Sequence, residues 1–311
     1  MCYSAMVNMH VKELGLTYKA RVQIDMFEDL FRERLAASAS AVNNPRPLEA
    51  AFLEKPKSAP EMRIAKSIRE FQARERKALA AEIKAQSKRL AAAEKALAGK
   101  VTKKAQNDQR IATSKIEKAE FRLGLLESGK ISESDSRIWP GSYAPLIVET
   151  EGERSVRPFR YLLRPFGQSA AFDRKFEGSY NARRDRLEEV FWWKSVYGKR
   201  HGILPIHAFF EHVKVKGKNV VLRFEPKAFT EMAVPCIWDR NEAEDFTLHS
   251  FALITDDPNP EVAAAGHDRT PVVMRPKYID LWLGAAAKDL AEYAVVFDDK
   301  QPTYFEHEVA A

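Results

Sequence analysis

The order of apolar and polar positions divides the chain into three textures. Over residues 17–35, Val22, Ile24, Met26, Phe27, Leu30 and Phe31 recur near helical spacing and predict an amphipathic helix. The stretch "NNPRPLEAAF" then interrupts the period with two prolines. From Pro60 to about Ser128 the pattern narrows to a thin apolar seam. Leu79, Ile83, Leu90 and Leu97 follow one another at steps of 4, 7 and 7 residues. "AGKVTKK" breaks this run at Gly99, and "AQNDQRIATSKIEKAEFRLGLLE" resumes it with Ile111, Ile116, Leu123 and Leu126. Ala, Lys, Glu, Arg and Gln, all good helix formers, fill the rest. The stretch predicts an antiparallel two-helix hairpin.

From Trp139 onward the pattern becomes short apolar segments between turns. "YAPLIVE", "RPFRYLL", "HGILPIHAFF", "NVVLRF", "AVPCIWD", "FTLHSFALIT", "TPVVM" and "YAVVF" each predict a strand. Eight strands with few long helices predict a twisted sheet or partly closed barrel. The expected class is α+β: a twisted β-sheet or partly closed barrel with flanking helices and an inserted helical hairpin. The expected organisation is a single domain over 1–311, with its core in 1–53 and 136–311 and the hairpin insertion at 54–135.

Charge changes the picture only where it is concentrated. The chain carries a net +6, yet residues 54–130 hold 20 Lys and Arg against 10 Asp and Glu. The remaining residues are therefore net −4, with 30 against 34. The hairpin charge has two readings, a solvated coiled-coil surface or a grip on DNA phosphates. No run approaches the ~18 apolar residues of a membrane span. The first 30 residues lack a signal-peptide apolar stretch. A cytoplasmic, nucleoid-associated protein is the expectation, with no membrane partner. Two cysteines exclude a disulfide framework or zinc cluster and suit a reducing compartment. Cys236 falls inside an apolar strand and reads as core.

Three stretches of the β-rich part carry candidate chemistry. In "GSYNARRDRLEEVFWW", Asn181 is followed by Arg183, Arg184 and Arg186 beside aromatics, a composition suited to phosphates and unstacked bases. A solvated helix start is the competing reading. Trp192 and Trp193 read as core packing or as base-stacking platforms. In "ILPIHAFFEHV", Glu211 ends an apolar run; partial desolvation would raise its pKa and suit acid/base work, unless the side chain has simply reached the surface. His207 and His212 read as structural. In "AAAGHDRTPVVM", His267, Asp268 and Arg269 sit on a loop entering a strand, where a histidine can shuttle protons.

These motifs occur in order behind a cysteine at position 2. "PGSYAPLIVE" and "FRYLLRPFG" precede Asn181-Ala182-Arg183; "GILPIHAFFEHV" and "GHDRTPVVM" follow. The set resembles the SRAP family, named for "SOS response-associated peptidase", whose members process abasic sites in DNA. The resemblance covers most of 1–53 and 136–285. It implies that removal of Met1 leaves Cys2 with a free α-amine and thiol, which together capture the open-chain aldehyde of an abasic site as a thiazolidine. It implies Glu211 as general acid/base, His267 as proton-transfer partner, Asn181 as the residue orienting the amine, and Arg183 and Arg269 as phosphate ligands, with Arg184, Arg186 and Arg200 as weaker candidates. No cofactor or metal is implied. The implied partner is single-stranded DNA containing abasic sites, bound by a monomer, with weak lyase and crosslink-reversal activity. The hairpin could add a replication-fork or protein partner. A cysteine-dependent peptidase or autopeptidase and a non-catalytic DNA-binding module are the alternatives. The chain departs from the common family start, Cys-Gly-Arg-aromatic, with Cys2-Tyr3-Ser4-Ala5, and it carries a hairpin that the minimal domain lacks.

Overall fold

The segment around "ILPIHAFF" is apolar at successive positions, which a strand tolerates only when both faces are covered. The computed structural model describes residues 4–36, 43–215, 217–242, 247–284 and 289–310. Among these residues twelve strands share one sheet. They are β1 (Ser4–Val7), β2 (Arg21–Val22), β3 (Arg137–Ile138), β4 (Tyr143–Thr150), β5 (Glu153–Tyr161), β6 (Asn181–Arg183), β7 (His201–Val215), β8 (Lys218–Pro226), β9 (Met232–Asn241), β10 (Leu248–Asp256), β11 (Thr270–Pro271) and β12 (Phe305–Val309). The apolar run lies in β7, which pairs with β1, β4, β8 and β9 and is buried along most of its length. The pairings β7–β4–β5–β10–β9 return to β7, so the twisted sheet closes into a ring of strands. Gly202 permits the tight contact of β7 with β4: a Cβ there would lie 2.8 Å from the Leu146 side chain and 3.2 Å from the Ile147 carbonyl oxygen.

Short helices flank the ring: α1 (Val11–Thr17), α2 (Ile24–Ala36) and α3 (Arg46–Leu53) before the long helical region, and several single-turn helices after it. Of the helix expected over 17–35, residues 24–35 are helical in α2, whereas the stretch before it is a turn and a short strand that follow α1. Thr17 ends α1, Lys19 adopts φ 50°, and Val22 joins a parallel pairing with Val156 before α2 begins at Ile24. "YAVVF" is helical rather than extended. Tyr293, Val296 and Phe297 are buried at helical spacing while Val295 is exposed, so the segment caps the core as a turn and a short helix. In "TPVVM" only Thr270–Pro271 pairs as a strand. Cys236 is buried in β9, as its apolar neighbours require.

The long helical region consists of α4 (Ala59–Gly99) and α5 (Lys103–Ser128). Ser58 and Glu61 form a capping box, with the Glu61 N–H donating to Ser58 Oγ at 3.4 Å and the Ser58 N–H donating to Glu61 Oε2 at 3.0 Å. Thr102 caps α5, and Gly129 in the left-handed region ends it. At 1.5 Å per residue α4 is about 60 Å long. Its first turns bury Ile64, Ala65 and Ile68 against the body. There Arg34 of α2 pairs with Glu49 of α3, lies 3.8 Å from the centre of the Phe71 ring, and Gln72 donates to Glu49 at 2.7 Å.

Farther out, α4 packs along α5, and the seam differs from the predicted one. The buried positions are Gln86 and Ala93 on α4 and Ala105, Ala112, Ala119 and Leu126 on α5, at seven-residue steps on both helices. Beside this seam run three ion pairs: Glu75–Arg122 at 2.7 Å, Glu82–Lys115 at 3.1 Å and Arg89–Asp108 at 2.6 Å. Each moves seven residues forward on α4 and seven back on α5, the register of an antiparallel pair. Leu79, Ile83, Leu90, Leu97, Ile111, Ile116 and Leu123 are half-buried along the seam's edges. Alanines bring the helix axes close, so the longer side chains lap over the joint instead of filling it.

Candidate functional site

The C-terminal end of β10 gathers two of the three sequence motifs. On one side Asn181, Ala182 and Arg183 of β6 pair in parallel with Leu253, Ile254 and Thr255. On the other side Thr270 and Pro271 of β11 pair with Asp256 and Thr255. The loop before β11 turns at Gly266, whose φ of 97° suits glycine, and delivers His267. His267 reaches across to Glu211 of β7, and its Nε2 lies 3.1 Å from Glu211 Oε2. The imidazole is held from behind: Nδ1 lies 3.0 Å from the Arg269 carbonyl oxygen and 3.3 Å from the Arg269 N–H. These contacts fix the ring plane and leave Nε2 facing the carboxyl.

Glu211 is 2% exposed. Burial raises its pKa, because the ionised form loses hydration, and the hydrogen bond from His267 opposes that rise. A buried carboxyl and a fixed imidazole at hydrogen-bond distance form a unit suited to passing a proton between them. The surface reading of Glu211 does not hold.

β1 runs antiparallel along β7, with Ser4 opposite Phe210, the residue before Glu211. Cys2 lies outside the described residues. Behind Ser4 stands Arg137 of β3, whose Nη2 and Nε donate to Ser4 Oγ at 2.8 and 3.2 Å. Its guanidinium is stacked 3.6 Å from the Phe210 ring centre and 4.4 Å from that of Trp139. This arginine anchors the first described strand beside Glu211, and no motif singled it out. Its partner is 133 positions away, so nothing local in the sequence signals the contact.

Asn181 is buried, and its Oδ1 accepts a hydrogen bond from the Tyr161 hydroxyl at 3.1 Å. Tyr161 lies in "FRYLLRPFG", so this bond joins two motifs. Asn181 also lines a cleft of about 220 Å³ with Arg183, Arg186, Trp192 and Trp193. Trp193 belongs to the core; Trp192 is half-buried and packs against Phe172 and Phe176 with one face toward this cleft.

The arginines divide into two groups. Arg183 and Arg269 share one carboxylate: Asp185 accepts from Arg183 Nη2 at 2.8 Å and lies 3.5 Å from Arg269 Nη1, which also meets Asp257 at 3.3 Å. Arg186 is exposed on the cleft rim, 3.7 Å from Glu189. Arg184, by contrast, bridges Asp256 and Asp298 and clamps a terminal helix to β10. Arg200 pairs with Asp239 at the start of β7. Ten strand residues, roughly 35 Å along the chain, separate it from Glu211. His201, which no motif marked, is buried under Trp282 and has its pKa pushed down to about 3 by loss of hydration. It is neutral packing. A separate cavity of about 570 Å³ is lined by Tyr18, Arg154, Glu231, Met274 and Gln301, and none of the candidate residues borders it. Among the described residues no helix is long and apolar enough to cross a membrane.

Solved structures of similar shape include a protein from Bacteroides thetaiotaomicron, 20% identical, with 56% of this chain and 77% of that chain covered and a TM-score of 0.48. A protein from Bordetella bronchiseptica is 17% identical, with 57% and 87% covered and a TM-score of 0.47. A phage-related protein from the same organism is 17% identical, with 56% and 80% covered and a TM-score of 0.44. No curated protein matches. A family model described as "SOS response associated peptidase (SRAP)" matches residues 97–309, a range that contains Asn181, Glu211, His267 and all five candidate arginines. With two thirds of its length matched in this way, the chain belongs to the SRAP family.

Proposed function

We propose that this protein captures abasic sites in single-stranded DNA as a covalent thiazolidine through Cys2. The observation that carries the reading is the buried Glu211–His267 pair beside the start of β1. Cys2 precedes Ser4 by two residues, a reach of about 7 Å. Once Met1 is removed, the α-amine of Cys2 has a pKa of about 7.7–8.0 and is partly neutral at physiological pH. It attacks the C1 aldehyde of the ring-opened sugar and expels water to give an imine. The thiol then adds across the C=N bond, sulfur to carbon and proton to nitrogen, closing a five-membered ring. An internal cysteine has no free amine and cannot do this.

The neighbouring groups suit the proton transfers. Opening the closed sugar needs a base at the C1 hydroxyl and an acid at the ring oxygen, and Glu211 with His267 can supply both in turn. The same pair, run backward, protonates the ring sulfur or nitrogen and reverses the adduct. Asn181, fixed by Tyr161, orients the amine. Arg183 and Arg269 meet the flanking phosphates, and the cleft beside Trp192 takes a neighbouring base. The whole chain from β1 to β12 acts as one domain with the helical hairpin as its insertion.

The test is a denaturing gel of the purified protein mixed with single-stranded DNA carrying one abasic site. A slow-migrating covalent band is expected, absent with Cys2→Ala and delayed with Glu211→Gln or His267→Ala. An equal band from Cys2→Ala, or no band from protein whose intact mass shows Met1 removed, would overturn the reading. Cys2-dependent cleavage of peptides without DNA would support a peptidase instead.

A further inference from the structure

The hairpin's inner faces are accounted for by the alanine seam and the interhelical ion pairs. Its outer face is not. At 100° per residue, Lys77, Lys84, Lys88 and Lys95 of α4 lie within about 20° of a common line. They form a straight stripe about 27 Å long, directed away from α5. All four side chains are exposed, and no ion pair or hydrogen bond among the described residues engages them. The positions between them on the same face are Ala81 and Ala91, so no acid interrupts the stripe. Glu82 points to the ladder, where it is held by Lys115 at 3.1 Å. Glu94 lies about 100° around the helix. Glu70, paired with Lys66 at 3.9 Å, marks the inner end, and Arg74 there turns back to the Leu35 carbonyl at 2.7 Å.

A helix face kept only for solvation mixes both signs, as the rest of this hairpin does. A one-sign stripe separated by alanines leaves the ammonium groups reachable and lets a partner come close to the helix. Its length matches about eight base steps of a duplex at 3.4 Å per step. We propose that this face of α4 is a nucleic-acid contact that binds the phosphodiester backbone without reading sequence. It is separate from Glu211 and His267, and it adds affinity and footprint to whatever the site near β1 does.

The experiment uses the full chain carrying Cys2→Ala and DNA without abasic sites, so that covalent capture plays no part. Binding of labelled single-stranded and duplex 30-mers is followed by fluorescence anisotropy between 50 and 200 mM salt. The variant Lys77→Ala/Lys84→Ala/Lys88→Ala/Lys95→Ala keeps good helix formers at every position. Its affinity at 50 mM salt should fall at least tenfold. The slope of log K against log salt should become shallower by about 3, since each phosphate no longer neutralised takes away about 0.7 to 0.9. The four-fold Lys→Arg variant should bind like the parent. A four-fold Lys→Gln variant repeats the test should the alanine protein lose helical circular dichroism. Parental affinity and slope in the alanine and glutamine proteins would overturn the proposal and point to an acidic protein surface as the occupant. The proposal fails or stands independently of Cys2 crosslinking.

Discussion

Replacing Glu211 by glutamine separates the two consequences of burying a carboxyl beside His267. The side chain keeps its shape, and its amide oxygen can still accept from Nε2 at the position now 3.1 Å away. What is lost is the ability to ionise. Burial raises the folded-state pKa of Glu211, against the pull of the His267 hydrogen bond, above the unfolded value of about 4.3. Between those two values the folded protein therefore binds more protons than the unfolded chain. The associated stability is complete below the unfolded value and is lost as pH rises through the folded value. Every unit of the raise removes about 1.4 kcal/mol from the wild-type protein at high pH. Glutamine shows no such loss. Glu211→Gln is thus expected to gain stability relative to wild type as pH goes from 4 to 8, while covalent capture of abasic DNA slows by about 10²- to 10⁴-fold, the usual range for a lost general acid/base. Urea unfolding at several pH values and gel time courses at pH 7 measure the two effects. A variant that loses stability relative to wild type on going from pH 4 to 8, or one that crosslinks at the wild-type rate, would refute the reasoning.

Asp185→Asn releases Arg183 and Arg269 from the carboxylate they share, so affinity for intact single-stranded DNA should rise several-fold, with a salt dependence steeper by about 0.7 per freed cation; weaker binding would count against a phosphate role for this pair. Arg34→Met strands the buried Glu49 carboxylate and should cost about 3–5 kcal/mol in urea unfolding, most of it regained on adding Glu49→Gln. Ala112→Leu forces four heavy atoms where one fits in the hairpin seam and should destabilise by about 1–3 kcal/mol, read as faster proteolysis near Gly99.

Much of the ring of strands was legible because β4, β7 and β10 carry apolar runs bounded by turns. The "GILPIHAFF" run announces a buried strand whatever its neighbours. Glu211 was legible for the same reason, as a charge at the end of a stretch with no room for one. The helical character of 59–128 followed from composition. The seam did not, because leucine and isoleucine draw attention while the heptad of alanines sets the spacing. "YAVVF" misled because β-branched residues favour strands locally, and only the burial of Tyr293, Val296 and Phe297 against the finished core decides for a helix. Arginine motifs carry no record of which acids fold beside them. Arg184 and Arg200 are bound into ion pairs with Asp256, Asp298 and Asp239, and Arg183 and Arg269, at the strand ends, share Asp185. The Arg137–Ser4 contact spans most of the first half of the chain and has no sequence signal at all.

The seven-residue step shared by the alanine seam and the ion-pair ladder makes the arm's length a discrete quantity. Removing one heptad from each helix shortens it by about 10 Å and re-creates every contact in register. Removing three or four residues from one helix alone sets alanine against arginine and like charge against like. The reach of this arm can therefore be lengthened or shortened in whole steps without renegotiating its packing, which makes it an adjustable spacer on an otherwise fixed body.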